Sequence, residues 1–306
     1  MTRVLPTGGS GFIAAHVLEV LLAWGHSVTK VDAIQQAHPG IPQDRLSFAI
    51  VEDIAQPNAF DKAVLSDPPI EAVIHTASPY HFNAQDAQEL LGPAIIGTTG
   101  ILKSMTSSFA AINDVYAPSA SKVYCEADWS PITVAQANDS PANAYRASKT
   151  FAERATWDFV EKEKSNFTLA VINLPLVLGP IVHNLTCLEA LNTPNQRIRD
   201  LLSGAAKNRC PPTGNYLFVD VRDLGLAHVR AVEKEAAGGK RFFAISKIIG
   251  EEFPQYKDRL PTGDALKPGM CPADVEILGV PFRPLRESIV DAVKSLLPLS
   301  ADNLAN

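Results

Sequence analysis

The chain has only four cysteines, Cys125, Cys187, Cys210 and Cys271, and none stands in a CxxC spacing or near a pair of histidines. A disulfide framework, a zinc ribbon or a dithiol redox centre would need such spacing, so free buried thiols in a reducing compartment are expected, and no metal site. Positive charge is short as well: 27 lysines and arginines face 33 aspartates and glutamates, for a formal net charge of -6. With no basic surplus to neutralise phosphates, no nucleic-acid partner is expected. No apolar run approaches the roughly 18 residues that a membrane span needs, so no membrane partner is expected either. Met1-Thr2-Arg3 leads into Val4-Leu5 and a glycine turn without a charged and then apolar leader. A secretory signal is therefore not expected, and the cytoplasm is the expected compartment. Internal repeats, low-complexity tracts and long linkers are missing too.

What is present is an ordinary globular composition, 46% apolar and 20% charged, over 306 residues. That length accommodates one large α/β domain with a smaller lobe. Short β-like runs alternate with helical periodicity through the first half, which predicts a parallel sheet with crossover helices. Strands are expected over 3–5, 27–32, 46–51, 72–76 and 168–173, and helices over 12–24, 94–103 and 144–163. Pro175 and Gly179-Pro180 then break regular structure. Beyond residue 181 the pattern turns to helix and loop, with turn signals at Pro194 and Pro211-Pro212. A strand over 216–221, a helix over 222–236, a strand over 241–245 and a last helix over 285–297 follow. The expected fold is α/β: a Rossmann-type doubly wound parallel sheet with a smaller C-terminal substrate lobe. Residues 1–175, completed by 214–246, form the dinucleotide-binding core, and 176–213 with 247–306 form the lobe.

Thr7-Gly8-Gly9-Ser10-Gly11-Phe12-Ile13-Ala14 sits between the first strand and the first helix. Gly8 suits the tight turn, Gly11 a close approach of backbone to a pyrophosphate, and Ala14 close packing of helix on sheet. Phe12 and Ile13 open the helix, whose N-terminal amides and dipole favour an anion. Asp32 ends the second strand, 24 residues after Gly8. An acid there accepts hydrogen bonds from the adenosine ribose and repels a 2′-phosphate, which favours NAD over NADP. Lys30 either blunts that repulsion or is simply solvated. Asp53 and Ile54 follow the third strand, where they either clasp an adenine or, for Asp53, cap the next helix.

Tyr145 and Lys149 stand at i and i+4, on one face of one expected helix. Reduction of a carbonyl needs a hydride and a proton for the developing alkoxide. A tyrosine titrates near pH 10, and an adjacent ammonium stabilises the phenolate and makes the proton available near neutrality. Ser107-Ser108 offers a hydroxyl for the substrate carbonyl, or else a helix-capping serine. His75-Thr76-Ala77-Ser78-Pro79 ends the fourth strand, where Thr76 and Ala77 would floor the cofactor site.

Together TGGSGFIA, HTASP, TSS, YRASK and NLPLVLGP resemble the extended short-chain dehydrogenase/reductase family. The resemblance covers nearly the whole chain. Glu126-Ala127-Asp128-Trp129 and Asp220-Val221-Arg222-Asp223 are similar to the branch of fungal and plant aldehyde and ketone reductases, which includes methylglyoxal, dihydroflavonol and cinnamoyl-CoA reductases. It implies an NAD(P)-dependent oxidoreductase with Tyr145 as general acid, Lys149 on the nicotinamide ribose and Ser108 on the carbonyl. It also implies that residues 174–177 line the nicotinamide, with Pro175 and Val177 in contact. NADP(H) is the cofactor this branch implies, aldehydes and ketones are its substrates, and a ketoreductase of fungal secondary metabolism is among its roles. A monomer or homodimer is expected.

The chain departs from that pattern in three places. Asp32-Ala33 replaces the arginine that holds a 2′-phosphate, so NAD(H) stays open beside NADP(H). About a dozen residues, enough for a helix end and a strand, are missing between Lys103 and Thr106. Either residues 104–111 are recruited as a substitute strand, moving Ser108, or the sheet is disrupted. The stretches around 246–251 and 271–273 are shortened as well. Two other functions therefore stay open beside the carbonyl reductase: an NAD-dependent nucleotide-sugar epimerase or dehydratase, and a catalytically impaired dinucleotide-binding paralogue.

Overall fold

The computed structural model describes residues 2–29, 42, 45–47, 49–54, 56, 59–77, 104–113, 124–163, 167–183, 185, 188–205, 217–244 and 276–301. Strand β1 (Arg3–Thr7) leads into helix α1 (Phe12–Ala23), then β2 (Ser27–Thr29), β3 (Leu46–Ser47), α2 (Asp61–Val64) and β4 (Ala72–His75). The second half supplies β5 (Ser104–Ser108), α3 (Pro141–Lys162), β6 (Ala170–Leu174), β7 (Leu176–Leu178) and α4 (Thr193–Leu202). Next come β8 (Phe218–Asp220), α5 (Val221–Glu233), β9 (Lys240–Phe243) and α6 (Leu285–Ala301). Seven strands form one sheet in the order β3-β2-β1-β4-β5-β6-β9, and every pairing is parallel.

Burial on both faces explains why β4 and β6 read as nearly continuous apolar runs. Alternate residues divide between two layers, as the twofold side-chain period requires. Val4, Val28 and Ile74 join Val17, Leu18 and Leu21 of α1 on one face. Ala170, Ile172 and Phe242 meet Val221, Leu224 and Ala227 of α5 on the same side. Helices α1 and α5 pack closely because Gly225 has no side chain: a Cβ there would come within 3.0 Å of the His16 carbonyl carbon. On the opposite face Met105, Leu169 and Val171 pack under Trp157, Phe159 and Val160 of α3. Leu5 and Val73 pack there against Phe60 and Ala63.

Helix α3 starts at Pro141, three residues before the expected boundary, because Ser140 Oγ accepts from Asn143 N at 3.2 Å and proline suits the first turn. The strand expected over 46–51 pairs only at Leu46–Ser47, where β3 is the sheet edge with a single neighbour. Leu176–Leu178, between the two breaking prolines, is a strand after all. It pairs with β8 in a separate two-stranded parallel sheet, so residues 218–220 lie outside the main sheet that 214–246 was expected to complete. Helices α4 and α6 pack together through Leu191, Ile198, Ala292 and Leu296 beside this small sheet. The helix expected over 94–103 lies outside the described residues.

The abbreviated segment before Thr106 is resolved in favour of a recruited strand. Ser104–Ser108 itself fills the slot between β4 and β6, with Ile74 opposite Ser104 and Ser108 opposite Leu174. The slot is therefore occupied: β5 pairs with β6 over all five of its residues and with β4 at Ser104 and Met105. Among the described residues no helix is long and apolar enough to cross a membrane, and no cluster of His, Cys, Asp and Glu could hold a metal ion. Cys125 is a free thiol, and the other three cysteines lie outside the described residues.

Candidate active site

The strand order reverses at β1, whose two neighbours β2 and β4 lead to opposite halves of the sheet. A crevice opens at the carboxyl ends of strands at such a point. Here it is a cleft of about 670 Å³ walled by the glycine turn, the ends of β5 and β6, and helices α3 and α4.

Gly8 has φ +69°, and a Cβ on it would stand 2.9 Å from Ala77 N, so only glycine fits without displacing backbone. Gly11 N–H donates to Gly8 O at 2.8 Å and closes the turn. Gly11 is also the N-cap of α1, where no side chain caps the helix and no acid stands in the first turn. The free amides and positive dipole end therefore face the cleft without an internal acceptor, a cradle that fits a dinucleotide pyrophosphate. Behind it, Thr76 Oγ1 donates to Thr7 O at 2.6 Å, and Ala77 N donates to Thr7 Oγ1 at 3.3 Å. His75 Nδ1 lies 2.8 Å from Thr7 Oγ1. Burial, helped by the charge of Lys149, lowers the His75 pKa to about 4, which fixes a neutral imidazole.

Across the cleft, Tyr145 OH donates to Ser108 Oγ at 3.2 Å. Lys149 Nζ lies 5.5 Å from the Tyr145 ring centroid, one helical turn on. The lysine is only 9% exposed, and burial lowers its pKa to about 8. It still carries its charge at neutral pH, and poor solvation strengthens its field on the neighbouring phenol. Ser108 Oγ also accepts from Ala110 N at 3.1 Å, capping a short 3-10 turn. The capping reading of this serine is met, and the same hydroxyl faces the tyrosine. Recruitment of residues 104–108 has not carried Ser108 away from the site.

A buried polar network holds the strand ends from below. Ser107 Oγ donates to Glu153 Oε2 at 2.5 Å, and Asn173 Nδ2 donates to the same oxygen at 2.7 Å and to Ser108 O at 3.3 Å. Arg241 Nε donates to Glu153 Oε1 at 2.6 Å, while Arg241 Nη1 donates to the carbonyls of Glu126 and Asp128. The Arg241 guanidinium also lies 3.9 Å from the Trp129 ring centroid. The Glu126–Trp129 stretch therefore serves as scaffold under the site. Asp220 and Asp223 serve as a clasp instead, pairing with Arg222 and Arg283, and Arg222 reaches Asp291 of α6 at 2.8 Å.

Of the residues singled out from the sequence, Gly8, Gly11, Phe12, Ile13, Ala14, Thr76, Ser108, Tyr145, Lys149, Pro175 and Val177 line this one cleft. Ala77 stands behind the Gly8 turn rather than in the lining. Asp53 and Ile54 do not line it. Asp53 is exposed and accepts from Gln56 Nε2 at 2.8 Å, and Ile54 packs on the core of Leu5, Phe60 and Val73. Lys30, Asp32, Ser78 and Pro79 lie outside the described residues. The structure adds Thr106, Asn113, Arg146, Asn192, Thr193, Pro194 and Arg197 to the wall. Asn192-Thr193-Pro194 carries a helix-start signal, because proline suits a first turn, and that signal locates the wall without giving its role.

A doubly wound parallel sheet with a glycine turn and a Ser/Tyr/Lys group on one cleft defines a dinucleotide-dependent oxidoreductase. The chain belongs to the NAD dependent epimerase/dehydratase family, which matches residues 4–246. Ketoreductase azaE of Aspergillus niger is 39% identical, over 96% of this chain and 97% of that protein. Their alignment spans 332 positions, more than the 306 residues here, so azaE carries stretches without a counterpart in this chain. The putative NADPH-dependent methylglyoxal reductase GRP2 of Candida albicans is 35% identical, over 97% of this chain and 98% of that protein. Among solved structures, yeast methylglyoxal/isovaleraldehyde reductase Gre2 complexed with NADPH superposes with a TM-score of 0.81 at 26% identity, over 98% of this chain and 99% of that one.

Proposed function

We propose that this chain is an NADPH-dependent reductase of aldehydes or ketones. The observation that carries the reading is the Tyr145–Ser108 contact at 3.2 Å, with buried Lys149 one turn away, in the same cleft as the glycine turn. Gly8, Gly11 and the first turn of α1 would hold the pyrophosphate, and Lys149, Pro175 and Val177 would hold the nicotinamide half. The cofactor, when bound, supplies a hydride to the carbonyl carbon. Ser108 Oγ holds the carbonyl oxygen as it gains charge, and Tyr145 OH gives that oxygen its proton. The Lys149 ammonium stabilises the phenolate left behind until solvent reprotonates it. The lobe of residues 176–213 and 247–306 is assigned to the substrate, because Asn192 and Pro194 wall its end of the cleft. The proposed compartment is the cytoplasm.

The NADPH preference is supported by the names of GRP2 and Gre2, against the presence of Asp32 after the second strand. The test is oxidation of NADPH and NADH by the purified chain over a panel of aldehydes, β-ketoesters and UDP-sugars. Carbonyl-dependent turnover should fall about 10²- to 10⁴-fold in Tyr145→Phe, as expected for loss of a general acid, with NADPH binding retained. If Asp32 selects NAD, Asp32→Ala weakens NADH relative to NADPH. Turnover of UDP-sugars alone, or cofactor binding without turnover, would overturn the reductase reading.

A further inference from the structure

Arg197 lines the cleft from α4, one turn beyond Thr193 and Pro194. Its Nη1 is buried and has no hydrogen-bond partner among the described residues. The other arginine of that helix is satisfied internally: Arg199 pairs with Asp200 at 2.7 Å and donates to Leu188 O. The wall around Arg197 offers no counter-charge. Its charged lining residues are Arg146, Lys149 and Arg197, with no aspartate or glutamate among the described ones. A buried donor without an acceptor costs about 1–3 kcal/mol, which a ligand that brings the acceptor would offset. A guanidinium also matches an oxyanion better than any other side chain, through two parallel N–H bonds.

We propose that Arg197 is an anion-binding residue of this cleft, taking an oxyanion of a bound ligand. The identity of that ligand rests on the reductase reading. Two participants in such a reaction carry the required group: the cofactor through its pyrophosphate, and a carbonyl substrate through a nearby carboxylate. Neither needs a new fold element, because both would occupy the cleft that Arg197 already walls.

The full chain is titrated by fluorescence with NADPH and with adenosine 2′,5′-bisphosphate, which has no pyrophosphate. Acetoacetate and ethyl acetoacetate, an anionic and neutral pair, are then titrated onto the enzyme bound to NADP+, which has no hydride to give them. Wild type is compared with Arg197→Ala and Arg197→Lys, and melting curves check that both variants fold. A charge-assisted contact predicts a loss of about tenfold or more in Arg197→Ala, partly restored in Arg197→Lys. Weaker NADPH with unchanged bisphosphate assigns the pyrophosphate. Unchanged NADPH with weaker acetoacetate, and unchanged ester, assigns a substrate carboxylate. All four dissociation constants within twofold of wild type would overturn the inference while leaving the reductase reading intact. A wild-type chain that binds no NADPH overturns both.

Discussion

Removing the Glu153 carboxylate tests how the active-site strands are held. Glu153 is fully buried and receives three donors, from Ser107, Asn173 and Arg241. In Glu153→Ala the Arg241 side chain, only 9% exposed in its ion pair, keeps its charge and loses its counterion. Breaking a buried pair by removing one partner typically costs about 3–5 kcal/mol. The orphaned Ser107 and Asn173 donors add to that, while water entering the vacated volume subtracts. An expected destabilisation of about 4 kcal/mol corresponds to a fall in Tm of roughly 6 °C for a chain of this size. Glu153→Gln keeps the shape and loses the charge, so about half that fall is expected.

Differential scanning fluorimetry of wild type and both variants reads the fall, and the companion Arg241→Met and Glu153→Met/Arg241→Met variants complete a double-mutant cycle. The double variant should recover part of the loss, since a buried pair replaced by apolar side chains of similar volume is often close to neutral. A Tm for Glu153→Ala within about 2 °C of wild type would refute the account, because a buried guanidinium stripped of its partner cannot be that cheap. Full additivity in the cycle would refute it as well, since residues in direct contact should couple.

Gly8→Ala should weaken NADPH binding, because the added Cβ must move Ala77 N, 2.9 Å away, at a φ of +69°; an unchanged dissociation constant by titration would speak against the cradle. Stability should fall in acid because the His75 pKa is lowered from 6.5 to about 4. Neutral His75 is favoured in the fold, so its contribution is complete above pH 6.5 and is lost as pH falls toward about 4, up to about 3 kcal/mol. In His75→Asn, which retains a polar atom for Thr7, the drop in Tm between pH 6.5 and 4 should be shallower than in wild type. Equal slopes would mean that His75 does not carry this term.

Sequence and structure agree where a local rule has a local consequence. The glycine turn and the Tyr145/Lys149 spacing each act through neighbours within about four residues, and each was legible for that reason. The Glu153–Arg241 pair was not legible, because its partners lie 88 residues apart and each side chain alone reads as a solvated charge. Arg197 was hidden for the same reason: nothing in its own helix shows that it lines the cleft. Asp53 shows the converse, a local signal that leaves two roles open. An acid after a strand suits a nucleotide or a turn equally well, and here its carboxylate serves Gln56.

The abbreviated stretch before Thr106 is the most informative difference. Counting residues against a family pattern finds too little room before Thr106, yet it cannot choose between a recruited strand and a disrupted sheet. Energetics chooses. An empty slot between β4 and β6 would orphan a ladder on both sides, whereas pairing Ser104–Ser108 satisfies both neighbours. Register with β6 then decides the function of the segment, since Ser108 opposite Leu174 brings its hydroxyl to Tyr145. A shift of one residue would put Ser107 opposite Leu174, beside the tyrosine, and Thr106 in the place of Ser107 beside Glu153. The hydrogen bond from Ser107 to Glu153 therefore does more than stabilise the core. It fixes which of two adjacent serines meets the tyrosine.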